Sequence, residues 1–231
     1  MGRRYRDVMR DLVDAVVGGT YAEGSWLPQE RELAARFGCS RGVAREALRG
    51  LEERGLVEVH RAQGQRVRQR DDWDLRDPDV LRACIARGPD PEALAQAIDA
   101  RAAVEIAAAL RATRAATDAD LRLLAGRLAD LHRAGAASAG RTSDGTDPFV
   151  VAEVWFHRTL ALLSDNPVLA RLVDPLHAVL AEHRHVQAPE REGAVVRHLQ
   201  RILEGLSARE PALAAGAVDA YAQALTRWLR A

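Results

Sequence analysis

The sequence predicts a mainly α protein, in which a small N-terminal unit with a β-hairpin precedes an all-α antiparallel helical bundle. Three observations predict this. Apolar residues recur at helical spacing through most of the chain, a strand–glycine–strand pattern falls near residues 56–67, and helical pattern returns almost without interruption after residue 79. We therefore expect an N-terminal domain at 1–69, a linker at 70–78 and a helical domain at 79–231.

Composition excludes several classes of protein. No apolar run approaches the length of a membrane span, and the basic N-terminus leads into an amphipathic helix pattern, so we expect no membrane segment and no signal peptide. Two scattered cysteines fit a reducing cytoplasm. The chain carries no glycine-rich phosphate loop, no nucleophile with a matched base and no zincin or paired Glu-x-x-His motif. We therefore expect no catalytic residues and no enzyme.

Residues 27–67 predict two helices joined by a tight turn and followed by a hairpin. Pro28 favours the start of a helix, where a missing N–H is harmless. Gly38 favours its end, because glycine takes a positive φ at little cost. Ser40 is a preferred N-cap for the next helix. The turn between the helices is therefore specified by its residue types.

The second of these helices has two faces. Arg41, Arg45 and Arg49 recur every four residues on the face opposite the apolar one, which is formed by Val43, Ala44, Ala47, Leu48 and Leu51. Two short apolar strands then flank a loop at Gly64. A helical hairpin with solvated arginines is the plain alternative, but the turn, the wing and the arginine row together favour a winged helix-turn-helix. Residues 1–70 contain 14 arginines and 10 acidic residues, which is a modest basic excess for a DNA-binding domain.

The segments LPQERELA, SRGVAREAL and GLVEV resemble the N-terminal domain of GntR-family bacterial transcription regulators. In that family the arginine of the ERE segment and the two of the SRxxxRE segment contact operator DNA. The resemblance therefore implies DNA contacts by Arg31, Arg41 and Arg45. To these we add Arg49 from the same helix face, and Arg61 and Gly64 from the wing. The chain departs from the family pattern where Gly42-Val43 replaces Thr-Pro and where the wing lacks one glycine.

The remaining chain predicts seven helices, separated by proline, glycine, asparagine and Thr-Asp breaks. The predicted helices cover residues 78–87, 91–114, 118–134, 147–164, 168–186, 190–208 and 211–230. A Gly/Ser/Thr-rich stretch at 135–146 predicts a mobile loop.

This part of the chain resembles the FCD effector-binding domain of the FadR branch. That domain commonly binds a metal through an aspartate four residues before a histidine and two further histidines on the last two helices. The resemblance implies one divalent ion, Zn, Ni or Mn, held by Glu153, His157 and His198. The third histidine position is Tyr221, a poor ligand when neutral, so the departure implies weaker binding or loss of the ion. In that case Tyr221 is expected to hydrogen-bond the effector.

Physical reasoning leaves two interpretations open for these residues. Glu153 and His157 are four apart and share a helix face, which suits a common ion, but a lone histidine at a helix edge is more often structural. Arg101 and Glu105 lie on the packing face of their helix, where charges need partners. They form either an intrahelical pair or an effector site in which Arg101 binds the carboxylate of a small organic acid.

The sequence thus predicts a ligand-responsive transcriptional repressor. We expect it to bind double-stranded operator DNA as a homodimer, because one recognition helix reads few bases. A small carboxylate effector is expected to shift the relative arrangement of the DNA-binding domains. Two rivals stay open: an architectural DNA-binding protein without an effector, and a helical metalloenzyme with a DNA-binding module.

Overall fold

The chain forms a small α/β unit, residues 1–93, and a helical unit, residues 94–231. The computed structural model describes residues 5–87, 92–136, 147–182 and 191–230. The predicted loop at 135–146 lies mostly outside the described residues. The predicted fold class is confirmed: helices dominate, and among the described residues the strands form one two-stranded sheet.

In the first unit, the described residues form four helices, one sheet and a short 3₁₀ turn. Its elements are α1 Tyr5–Val17, α2 Glu30–Phe37, α3 Arg41–Glu53, β1 Val57–His60, β2 Gly64–Val67, the 3₁₀ turn Arg70–Asp72 and α4 Pro78–Arg87. Helix α1 buries Val8, Leu12, Val13 and Val16 at the predicted helical spacing, and it packs against α3. Helix α2 begins at Glu30, two residues after Pro28, and the extended Gln29 occupies its N-cap.

The hairpin is the predicted wing. Its strands are antiparallel, with Val57 opposite Val67 and His60 opposite Gly64. Gly64 has a φ of 107°, a conformation that other residues rarely adopt, so this wing glycine is required by the turn.

Helix α4 differs from the sequence analysis, which assigned residues from 79 onward to the helical domain. Val80, Ala83 and Cys84 belong to the hydrophobic core of the first unit, and α4 packs against α1. The buried Arg82 also donates to Asp14 of α1 at 2.7 Å. The sequence predicted a helix at 78–87, but it did not show which core the helix would join.

In the second unit, six helices with bounds close to the predicted ones are found among the described residues. They are α5 Ala93–Ala115, α6 Asp118–Ala136, α7 Pro148–Leu162, α8 Pro167–Glu182, α9 Glu192–Ser207 and α10 Pro211–Leu229. Helix α6 packs against α7 and α9, α7 against α8, and α9 against α10. Helices α9 and α10 approach closely at Gly205, where an added Cβ would lie 2.5 Å from the backbone nitrogen of Ala214. The larger apolar core lies between these helices.

No helix among the described residues is long and apolar enough to cross a membrane.

Candidate functional site

The recognition helix α3 is positioned by the turn that precedes it. Gly38 adopts the left-handed conformation, with φ 61°, and its N–H donates to the carbonyl of Ala34, which ends α2. The side chain of Ser40 then accepts a hydrogen bond from the N–H of Val43 at 3.2 Å. Both predicted turn residues therefore act as expected, and they set where α3 starts and how its faces are oriented.

The apolar face of α3 is buried and its arginine face is exposed. Ala44, Ala47, Leu48 and Leu51 are core residues, with Val43 packed against them. All six residues predicted to contact DNA are exposed: Arg31, Arg41, Arg45, Arg49, Arg61 and Gly64. Arg49 is paired with Glu53 at 3.1 Å, whereas Arg41 and Arg45 make no hydrogen bond or ion pair within the described part of the chain. Arg31 and Arg61 likewise have no such partner within the described residues, so four of the five arginines have free guanidinium groups.

The wing has an aromatic and charged base. His60 contacts the carboxylate of Glu58 at 2.9 Å, and the ring of Trp26 lies edge-on to His60 with centroids 5.1 Å apart. Arg66 donates to the carbonyl of Gly24 at 2.7 Å, which holds the second strand against the loop before α2. These contacts orient the wing tip, where Arg61 is exposed.

The second unit contains a buried cluster of charged and aromatic groups. Its members come from α5, α7, α8 and α10, and each is at most 4% exposed: Arg101, Glu105, Glu153, His157, His177 and Tyr221. Charged side chains are almost never buried so completely unless they are paired. The cluster is therefore held by specific interactions between these groups.

Glu105 is at the centre of the cluster. One carboxylate oxygen accepts from His157 Nδ1 at 3.0 Å and the other from His177 Nε2 at 2.7 Å. Arg101 lies one helical turn before it, with Nε 3.9 Å from the carboxylate. Burial alone raises the pKa of Glu105, but His157, Arg101 and the two hydrogen bonds outweigh it and hold this pKa well below its usual range. Glu105 is therefore ionised, and both histidines donate to it.

Tyr221 contacts all three predicted metal ligands, Glu153 and His157 on α7 and His198 on α9. Its hydroxyl donates a short hydrogen bond to Glu153, its ring stacks on His157 at 5.6 Å, and the ring of His198 lies 5.6 Å away on α9. Burial and the negative charge of Glu153 raise the pKa of Tyr221 well above its usual value. The phenol is therefore neutral. Its hydroxyl is hydrogen-bonded to the Glu153 carboxylate, which was predicted to bind a metal.

Arg101 fits both sequence interpretations. It forms the predicted intrahelical pair with Glu105, and its guanidinium carbon lies 5.4 Å from the centroid of the Tyr221 ring. Its Nε, however, is buried and makes no hydrogen bond within the described residues. Burial lowers the pKa of Arg101, but the charges around it, first that of Glu105, outweigh burial and raise it. One donor of a permanently charged side chain is thus available to a ligand.

A small cavity adjoins these groups. It has a volume of about 20 Å³ and is lined by Arg101, Glu153, His157 and His177 together with apolar residues of α7 and α8. This is the room of about one water molecule, so a larger ligand requires the lining helices to separate.

The predicted metal ligands are only partly brought together. Glu153 and His157 face one another, with 3.8 Å between Oε1 and Nε2, but His198 does not join them in a group with ligand atoms within reach of one ion. Among the described residues, the group that does so is Glu105, His157 and His177. His177 was missed by the sequence analysis. The sequence signal for its inward position is its helical spacing: His177 lies four residues after Val173 and seven after Ala170, and both of these residues of α8 are buried.

An exposed arginine row on a capped recognition helix, joined in one chain to a helical domain with a buried charged cluster, defines a DNA-binding transcriptional regulator. The chain belongs to the gntR family of bacterial regulatory proteins, whose family model matches residues 4–67, and it carries an FCD domain at residues 96–224. The family predicted from the sequence motifs is thereby confirmed.

Several curated relatives are regulators of the same kind. The chain is 31% identical over 157 residues to the galactonate operon transcriptional repressor of Escherichia coli, covering 68% of this chain and 65% of that protein. It is 32% identical over 214 residues to an uncharacterized HTH-type transcriptional regulator of Mycobacterium tuberculosis, covering 92% and 84%. It is 30% identical to the transcriptional repressor NanR of Klebsiella aerogenes, covering 70% of this chain and 58% of that protein. The matches to the two repressors thus span less than two thirds of their length.

Solved structures share the fold. One is that of Lar, which controls the expression of the Listeria monocytogenes agr system, with a TM-score of 0.72 and 19% identity over 100% of this chain and 98% of that one. Another is E. coli McbR/YncC, with a TM-score of 0.56 and 20% identity over 100% and 98%.

Proposed function

We propose that this regulator is a homodimeric repressor that binds operator DNA through α3 and the wing and responds to a small organic acid bound in its helical domain. The observation that carries the effector part of this proposal is the buried cluster around Arg101. The operator part is supported by the exposed arginines of α3. The effector part also fits the name of the galactonate operon repressor, to which the chain is similar. We also propose that the protein acts in the cytoplasm, where its DNA is.

Operator contacts fall into two groups. We assign Arg41 and Arg45 to base edges, where a bidentate guanidinium favours guanine, because both are exposed and unpaired near the start of α3. We assign Arg31, Arg61 and the wing backbone at Gly64 to phosphates, which position a protein without reading sequence. Arg49 has a smaller role, since Glu53 competes for its guanidinium.

A homodimer follows from the size of the recognition surface. One recognition helix contacts a few base pairs, and two-fold symmetry doubles the contacts on a palindromic site.

Effector recognition rests on Arg101. Its Nε is buried without a hydrogen bond within the described residues, and Arg101 lines the small cavity together with Glu153, His157 and His177. A guanidinium matches a carboxylate in geometry and charge. Glu105 holds Arg101 in place, and Tyr221 presents a hydroxyl beside it. Since the cavity holds about one water, we infer that effector binding opens the helices that line it.

A divalent ion is part of this proposal. One candidate ligand set is the one predicted from the family, in which His157 Nε2 is buried, makes no hydrogen bond within the described residues and lies 3.8 Å from Glu153 Oε1. His198 would complete that set only if the ring of Tyr221 moved. When bound, the ion would act as a Lewis acid for the effector carboxylate.

The test measures DNA binding and its response to organic acids. A duplex selected by the protein from a random-sequence pool is labelled, and its affinity is measured by fluorescence anisotropy with and without galactonate and other small carboxylates. We expect one class of acid to weaken binding about fivefold or more, and Arg101→Gln to abolish this response while leaving acid-free binding intact. Binding without sequence preference and without any response would instead support the architectural alternative.

A further inference from the structure

The buried groups around Glu105 form a second possible ligand set for a metal. Glu105 on α5, His157 on α7 and His177 on α8 each offer a ligand atom, and these atoms lie within 4.8 Å of one another. The three side chains are at most 3% exposed. Two imidazoles and one carboxylate are a common protein set for Zn²⁺ and similar ions, with a fourth position open to water or a ligand.

The distances in this group are close to those of a metal site. The two nitrogen–oxygen separations are 3.0 and 2.7 Å. These contacts are to different oxygens of Glu105, so an ion bound by both oxygens, or by one of them, requires the two rings to move. Ligand bonds of about 2.0–2.1 Å in a tetrahedral site give separations of about 3.3 Å, which opens each pair by roughly 0.3–0.6 Å. Side-chain rotations of that size are small even in a packed core.

Each histidine ring has a second nitrogen that can carry the ring proton if the first one binds a metal. Each histidine donates one hydrogen bond to Glu105. The other ring nitrogens, His157 Nε2 and His177 Nδ1, make no hydrogen bond within the described residues. An ion bound to the nitrogen of each ring that now contacts Glu105 would leave the ring proton on the opposite nitrogen of the same ring. His157 Nε2–H then faces Glu153 Oε1, now 3.8 Å away. Glu153 becomes the acceptor that orients the metal-bound histidine, an arrangement common around protein-bound metals.

The local charge also favours a divalent cation. Arg101 contributes one positive charge, while Glu105 and Glu153 contribute one negative charge each, which leaves a net charge of −1 among these three buried groups. A divalent ion changes this to +1. An acid with one carboxylate would then neutralise the site, so the ion and the effector would each strengthen the binding of the other.

The family-like set is less well formed than this group. The ring of Tyr221 contacts the rings of both His157 and His198, with a centroid distance of 5.6 Å to each, and among the described residues His198 is not part of the group whose ligand atoms could reach one ion. The hydroxyl of Tyr221 also donates a hydrogen bond to the Glu153 carboxylate. We therefore propose that Glu105, His157 and His177 bind one divalent transition-metal ion, and that His198 is not a ligand. This inference concerns metal binding alone, so it can fail while the proposed operator and effector binding stand.

The experiment compares His177→Gln with His198→Gln in the full-length, untagged chain. After chelation and dialysis, each protein is titrated with Zn²⁺ against a competing chromophoric chelator, and bound metal is counted by elemental mass spectrometry. We expect about one equivalent in the wild type, unchanged affinity in His198→Gln, and a loss of about tenfold or more in His177→Gln. Circular dichroism confirms that both variants are folded.

Two results would overturn the proposal. One is a wild type that binds no Zn²⁺, and the other is a loss of binding in His198→Gln with retention in His177→Gln, which would select the family-like set. If His177→Gln does not fold, the wild type and His198→Gln are each titrated with Co²⁺ instead, and their absorption spectra and Co²⁺ affinities are compared. Identical absorption spectra and affinities for the two proteins would support the proposal, and a change in His198→Gln would refute it.

Discussion

Arg45→Ala should weaken operator binding strongly without affecting the fold. Arg45 is exposed on α3 and makes no hydrogen bond or ion pair within the described residues, so its removal leaves no buried group unpaired. A good guanidinium contact with a base is worth about 1–3 kcal/mol, which corresponds to roughly 5- to 150-fold in affinity. Because the side chain is already free, none of this energy is offset by breaking a contact within the protein.

Arg49→Ala provides the matched control. Arg49 lies one turn further along the same face, but it is paired with Glu53 at 3.1 Å, and an exposed pair of this type is itself worth well under about 1 kcal/mol. We expect its removal to cost DNA binding less than that of Arg45.

The assay is a salt-dependent anisotropy titration on the selected duplex and on a scrambled duplex. A base contact predicts that Arg45→Ala loses affinity mainly for the selected duplex, whereas a phosphate contact lowers both affinities and the salt slope by about one. Unchanged affinity of Arg45→Ala at moderate salt, or an equal loss in Arg49→Ala, would refute the assigned orientation of α3.

Three further substitutions test the local structure. Ser40→Ala should destabilise the first unit by about 1 kcal/mol in urea unfolding, because the N–H of Val43 loses its cap. Glu105→Ala should destabilise the second unit by about 3–5 kcal/mol, since His157, His177 and Arg101 lose their shared buried partner. Gly205→Ala should cost about 1–3 kcal/mol in thermal unfolding, because its Cβ would lie 2.5 Å from the α10 backbone.

These predictions have their own controls. Gly216→Ala changes the same residue type where an added Cβ meets nothing within 4 Å, so it should stabilise α10 by about 0.5–1 kcal/mol. Equal effects at Gly205 and Gly216 would contradict the close approach of the two helices. A loss below about 1 kcal/mol in Glu105→Ala would mean that the buried cluster is not held by its carboxylate.

The sequence by itself determined the elements of both units and which face of α3 carries the exposed arginines. Local chemistry is sufficient for this, because Gly38 and Ser40 act within their own turn and the arginines of α3 follow from a period of 3.6 residues. The family motifs also lie in this contiguous stretch, so the class of protein follows from the order of residues alone.

The tertiary structure decided which residues from different helices contact one another. Glu105 lies 52 positions before His157 and 72 before His177, and no local pattern relates the three residues. The same reason explains α4, whose amphipathic pattern fits either core equally well. Likewise the sequence identified Tyr221 as the departure from the metal-binding pattern, but only the packing of α7, α9 and α10 shows that its ring contacts both His157 and His198. Periodicity determines which side of a helix faces inward, whereas the partners on that side depend on how distant helices pack together.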